Sequence, residues 1–180
     1  MVQDKRNIYI QDFQNGNKSA FDSIVIEHKN WVINMILSMV HNKQDAEDIS
    51  QDVFVSVYFA LDKFKSVSKF ETWLYRIIIN KVNAFYNKLK IKNIFNIELS
   101  KVEEMKFIND YSLFEQFDKE ILHKAVIQLS SKQRNIVLLR VYQGLSFKEI
   151  SNVLKISVNV AKVTFQQAKH NLKKRLVDGK

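Results

Sequence analysis

The sequence predicts an all-α protein of two small helical domains joined by a linker, the second of them a helix-turn-helix. Three observations predict it. Apolar residues recur at spacings of three and four through most of the chain, the period of a helix with one buried face. The 180 residues include three glycines and no proline, too few to punctuate an all-β chain with tight turns. Finally, Ser146-Phe147-Lys148-Glu149 fits a capping box, in which the serine oxygen accepts the third helical N–H and the glutamate accepts the serine N–H.

Taken in order, residues 18–41 carry Phe21, Ile24, Val25, Val32, Met35, Ile36 and Met39 on one face. From Asp45 the stripe Ala46, Ile49, Val53, Val57, Ala60, Leu61 repeats the pattern and leaves Asp45, Asp48 and Asp52 together on the opposite face. A third helix is predicted from about Phe70 to Leu89, with Leu74, Ile77, Ile78, Val82 and Phe85 inward and Arg76, Asn80, Asn83, Asn87 and Lys90 outward. Met1 to Asn15 mixes charges with isolated apolar residues, so no signal peptide is predicted there and secretion is disfavoured. Residues 91–120 lose the period and turn acidic, although Phe95, Phe107, Tyr111, Phe114 and Phe117 make them aromatic; they are expected to be the linker between domains 1–90 and 121–180.

In the last sixty residues a short helix is expected at Ile121 to Leu129, and Ser130 or Ser131 can cap a second at Lys132 to Tyr142, stopped by Gly144. The capping box starts a third, Leu154-Lys155-Ile156 interrupts it, and Ser157 can cap a fourth running to about Leu176. On that last helix Ala161, Phe165, Ala168, Leu172 and Leu176 face inward. Asn159, Lys162, Val163, Gln166, Lys169, His170 and Lys173 face out. Two helices joined by a tight turn, the second basic, describe a helix-turn-helix whose early residues read base edges: Asn159, Lys162, Val163 and Gln166. Lys169, Lys173, Lys174 and Arg175 suit phosphate contacts or a soluble helix end.

The net charge of +9 is distributed unevenly. Residues 1–90 hold 12 basic and 10 acidic side chains, residues 91–120 hold 4 and 7, and residues 121–180 hold 12 and 2. Within the first segment Asp45, Glu47, Asp48, Asp52 and Asp62 occur with no Lys or Arg among them, whereas 63–90 has seven basic residues against Glu71 alone. The net excess points to a polyanion such as nucleic acid or to an anionic membrane surface, and neither basic region has the form of an isolated amphipathic membrane anchor. The acidic patch reads equally well as a solvated face or as an interface. No run is long and apolar enough to span a bilayer, so a cytoplasmic location is expected.

Zero cysteines exclude a disulfide framework and a thiolate metal site, and the scarce glycines argue against a phosphate-cradling loop. His28, His41, His123 and His170 are scattered with no pair at metal-ligand spacing. Neither an enzyme nor a cofactor is expected.

Two blocks carry a family resemblance. Asp45-Ala46-Glu47-Asp48-Ile49-Ser50-Gln51-Asp52-Val53-Phe54, with Leu61 to Phe64, Phe70 to Ile77 and Asn80, resembles region 2 of extracytoplasmic-function sigma factors of bacterial RNA polymerase. Leu129 to Arg134 and Gly144 to Ile150 resemble their region 4. The resemblance implies promoter DNA and core RNA polymerase as partners, the latter through its beta-prime coiled coil and beta flap, and an anti-sigma factor, with no membrane role. It implies polymerase contacts at Asp48, Gln51, Asp52 and Val55. It implies minus-10 contacts at Lys63, Lys65, Lys69, Arg76 and Lys81, with Asn80 and loop residues between Ser66 and Phe70 capturing an unstacked base. For the minus-35 element it implies Ser157, Asn159, Lys162, Val163, Gln166 and Lys169.

Phe64, Phe70 and Trp73 have the shape of stacking platforms, but aromatics at helical spacing favour the core. Two departures from the family stand out. Lys155 occupies the turn where the family has glycine, and the recognition helix has Thr164, Gln166 and Gln167 where arginine is usual, which implies an atypical or weak minus-35 preference. The competing expectation is a helix-turn-helix regulator that does not act as a polymerase subunit.

Overall fold

The computed structural model describes residues 2–93 and 119–178. Among these residues there is no strand, and no helix is long and apolar enough to cross a membrane. The chain divides into two compact units, Met1–Val82 and Asn83–Lys180.

The first unit holds α1 (Val2–Gln14), α2 (Ala20–Val40), α3 (Lys43–Leu61) and the start of α4 (Phe70–Asn93). α2 packs on both α1 and α3. Ile24, Val32, Ile36 and Met39 of α2 and Val53, Val57 and Leu61 of α3 are buried together with Leu74 and Ile78 of α4. α2 stops where His41 turns left-handed at φ 55° and its N–H returns to the Leu37 carbonyl at 2.9 Å. The next residue caps α3, the Asn42 Oδ1 accepting the Asp45 N–H at 3.0 Å. Two residues therefore reverse the chain.

α1 precedes the first helix that the apolar period marks out in the sequence. Among its described side chains Ile10 and Phe13 are buried and Ile8 is not. What holds it is tertiary. The Phe13 ring meets Phe21 and Tyr58 at centroid distances of 5.8 and 5.3 Å, and Gln14 Nε2 donates to the carbonyls of Leu61 and Phe64, each at 2.9 Å. Lys18 lies 3.9 Å over the Phe13 ring and pairs with Asp62 at 2.9 Å. One member of the acidic run is thus engaged within the fold.

The second unit holds the end of α4, then α5 (Lys119–Ile127), α6 (Ser131–Val137), α7 (Phe147–Leu154) and α8 (Val158–Asp178). α8 is the hub, packed by α5, α6 and α7. Its inward stripe is as the period predicts, with Ala161, Phe165, Ala168, Leu172 and Leu176 all buried. Ser130 caps α6, and the expected continuous helix to Tyr142 instead widens to a π-helical turn over Leu138–Tyr142. Gly144, at φ 66°, ends it. The capping box is complete: Glu149 N–H donates to Ser146 Oγ at 3.2 Å, and Ser146 N–H donates to Glu149 Oε2 at 2.8 Å.

In α4 the inward row also differs from expectation. Ile79 and Tyr86 are buried, whereas Ile77 and Phe85 are only half-buried. α4 continues three residues into the expected linker and α5 begins just before that linker's end. The rest of the linker, with its aromatics, lies outside the described residues.

Candidate protein and nucleic-acid interfaces

On α3, Asp48, Gln51, Asp52 and Val55 fall at i, i+3, i+4 and i+7, and all four are exposed. The helix geometry extends this strip to Phe59, which is 75% exposed. Beside the strip runs an apolar groove of about 450 Å³ between α2 and α3, lined by Phe21, Val25, Phe54, Val55, Tyr58 and Phe59 among others. The sequence reading found the acids and Val55 but missed the groove. The signal was present in Val55 and Phe59, an i,i+4 apolar pair off the buried stripe.

The loop after α3 carries Lys63, Lys65 and Lys69, all exposed. Ser66 within it is left-handed, at φ 53°. Against this loop opens a cavity of about 580 Å³, whose lining includes Lys65, Ser66, Val67, Ser68 and Lys69 on one side and Asn7, Gln11 and Gln14 of α1 on the other. Phe64 and Phe70 are buried, and Trp73 is half-buried with its ring 5.0 and 5.5 Å from theirs, so the three aromatics pack on one another. Arg76 and Lys81 are half-buried and Asn80 is exposed. Asn80 is outside the cavity lining, nine residues or about 13 Å along α4 from Glu71, which does line it.

At the other end of the chain Lys155 turns left-handed at φ 54°, the conformation for which glycine is ordinarily used. Ser157 follows and caps α8, its Oγ accepting the Val160 N–H at 3.1 Å. Asn159, Lys162, Val163 and Gln166 are exposed along the first turns of α8. Lys169 is half-buried, its Nζ 5.7 Å over the Phe165 ring. Val158 and Val160, not anticipated, stand 38% and 48% exposed beside Val163 at 49%. These three place methyl groups among the polar side chains of the exposed α8 surface.

The second unit is also held together by polar contacts absent from the sequence reading. Arg140 donates to the Leu145 carbonyl at 3.0 Å and lies 5.1 Å over the Phe147 ring, which in turn packs on Phe165. Arg134 is wholly buried. Its guanidinium donates to the Ile127 carbonyl and to Asn83 Oδ1, each at 3.1 Å, and stacks 4.4 Å from the Tyr86 ring. Burial pushes the Tyr86 phenol well above its ordinary pKa, opposed by the Arg134 charge. Burial lowers that of Arg134. Among the described residues no group of three or more His, Asp or Glu gathers in a way that could hold a metal ion.

Residues 24–90 match the family model for sigma-70 region 2, and residues 119–172 match that for sigma-70 region 4. Together the two matches cover about two thirds of the chain, in the family's order. The RNA polymerase sigma-H factor of Pseudomonas aeruginosa is 28% identical over 98% of this chain and 96% of its own. The extracytoplasmic-function sigma factor SigW of Bacillus subtilis is 28% identical over 94% and 95%. The chain belongs to the sigma-70 family, in its extracytoplasmic-function class. The fold of this sigma factor is shared with solved structures. CnrH, solved in complex with the cytosolic domain of CnrY, superimposes with a TM-score of 0.61 at 23% identity, covering 96% of each chain. The sigma factor RpoE of Bartonella quintana, solved with the anti-sigma factor NepR, gives 0.59 at 19% identity, covering 87% of this chain and 96% of its own.

Proposed function

We propose that this sigma factor binds core RNA polymerase through the α3 strip, recognises the minus-10 and minus-35 promoter elements, and promotes DNA melting. The observation that carries this reading is the separation of unlike surfaces on a chain of this family. An acidic strip beside an apolar groove on α3 suits a protein partner with a basic, partly apolar face. A basic loop leading into α4 suits melted DNA, and an exposed, capped, basic α8 suits the duplex major groove.

In this reading Asp48, Gln51, Asp52 and Val55 contact the polymerase. Lys63, Lys65, Lys69, Arg76 and Lys81 hold phosphates of the minus-10 region, and the loop captures an unstacked base, because unstacking costs a few kcal/mol that a receptive site must offset. Asn80, set apart from the cavity, contacts DNA along α4. Ser157, Asn159, Lys162, Val163, Gln166 and Lys169 face the minus-35 element. The chain supplies no bond chemistry of its own; phosphodiester synthesis belongs to the polymerase, in the cytoplasm. That a relative of the same fold was solved with an anti-sigma factor supports such a partner here.

Co-purification with core polymerase, followed by run-off transcription from candidate promoters, tests the reading. The expected result is a stable complex that initiates only with this subunit present. Absence of core binding overturns it in favour of a free-standing DNA-binding regulator.

A further inference from the structure

The α1 wall of the loop cavity carries a pattern that the function so far does not use. Asn7, Gln11 and Gln14 occur at i, i+4 and i+7, one face of the helix, and all three line the cavity. Opposite them stand the loop residues Ser66, Val67 and Ser68 with Lys65 and Lys69. A carboxamide presents a donor and an acceptor side by side, the arrangement that matches the hydrogen-bonding edge of a nucleobase. It does not suit a free phosphate, which calls for cations at its centre, and Glu71 in the same lining further disfavours an anion there. At about 580 Å³ the space admits a flat heterocycle with its first waters.

Gln14 has a different task from its two neighbours. Its Nε2 spans the end of α3 and the start of the loop, donating to the Leu61 and Phe64 carbonyls at 2.9 Å each. Both amide hydrogens are thereby used on backbone. Gln14 fixes where the loop stands relative to α1, while Asn7 and Gln11 are exposed on the cavity side.

We propose that α1 is a wall of the base-capture site: Asn7 and Gln11 read the edge of an unstacked promoter base held by the loop, and Gln14 is a positioning residue that sets the loop against them. This rests on the reading of the loop as the minus-10 base-capturing element.

The test uses holoenzyme reconstituted from core polymerase and the full chain, with a promoter library randomised across the minus-10 element and sequenced after transcription. Asn7→Ala with Gln11→Ala is expected to flatten base preference at one minus-10 position by about tenfold, the scale of one lost bidentate contact. Core affinity and the other positions serve as controls for folding. A preference profile identical to that of the unmodified chain overturns the proposal. Ser66→Ala with Ser68→Ala separates it from its premise. If the loop variant alters preference and the α1 variant does not, the α1 proposal fails and base capture by the loop stands. If neither alters it, both fail.

For Gln14, a carboxylate cannot donate to the two carbonyls, whereas an ammonium can. Gln14→Glu should flatten the same position and Gln14→Lys should restore it. Equal profiles for the two variants would remove the positioning role.

Discussion

Tyr86 and Arg134 show how single residues settle a helix register. A buried guanidinium is costly, and among the described residues the cost is offset by hydrogen bonds to neutral oxygens and by an aromatic face. The ring that serves is Tyr86 rather than Phe85. No reading of α4 alone could choose between these adjacent aromatics, because the partner that selects Tyr86 is 48 residues away in sequence. The phenol itself gives a pH signature. In the unfolded chain it ionises near its ordinary value of about 10, whereas in the fold it stays neutral to higher pH. The unfolded state therefore loses its proton first, and this contribution to stability falls as pH rises through 10. Denaturant titrations at pH 8 and pH 11 should show the unmodified chain losing about 1.4 kcal/mol relative to Tyr86→Phe between the two. A constant gap would mean that the phenol is not held neutral.

Asn80 is the second residue-scale case. It is exposed on α4 but stands away from the loop cavity, so its contribution is separable from base capture. Asn80→Ala should slow promoter opening, followed by permanganate footprinting, and leave core affinity unchanged. An equal fall in both would reassign it.

Among the elements, the buried stripe of α8 was legible and α1 was not, and the physical reason is the same. α8 buries one apolar residue on nearly every turn, so its period of 3.6 is written in its own residues. α1 buries two of its described apolar residues, and is held by an aromatic cluster and by a side-chain bridge to α3 and the loop. Of the candidate surfaces, the acidic half of the α3 strip could be read in advance because charges are conspicuous. The groove beside it could not, because a third of its lining comes from α2. The strip makes its own prediction. Asp48→Lys with Asp52→Lys reverses the charge of two exposed positions and should weaken core binding about tenfold or more, chiefly through slower association that high salt masks. Unchanged affinity at low salt would count against the acidic interface.

For the whole molecule, the +9 is an average over unlike parts. The second unit carries all of the excess, and the first divides its charge between an acidic helix and a basic loop. The composition that suggested a helical chain has a further consequence. With three glycines and no proline, reversals fall to ordinary residues: His41, Ser66 and Lys155 all adopt positive φ. Each costs on the order of 1 kcal/mol. Lys155→Gly should raise the melting temperature by about 2–8 °C in calorimetry, since that turn needs the backbone conformation and not the side chain; no rise would show that the lysine pays for itself through contacts of its own. Set against a net stability of roughly 5–15 kcal/mol, three such turns are a sizeable fraction. The chain holds an untapped thermal reserve, reachable by exchanging one amino acid at a bend and without touching the core.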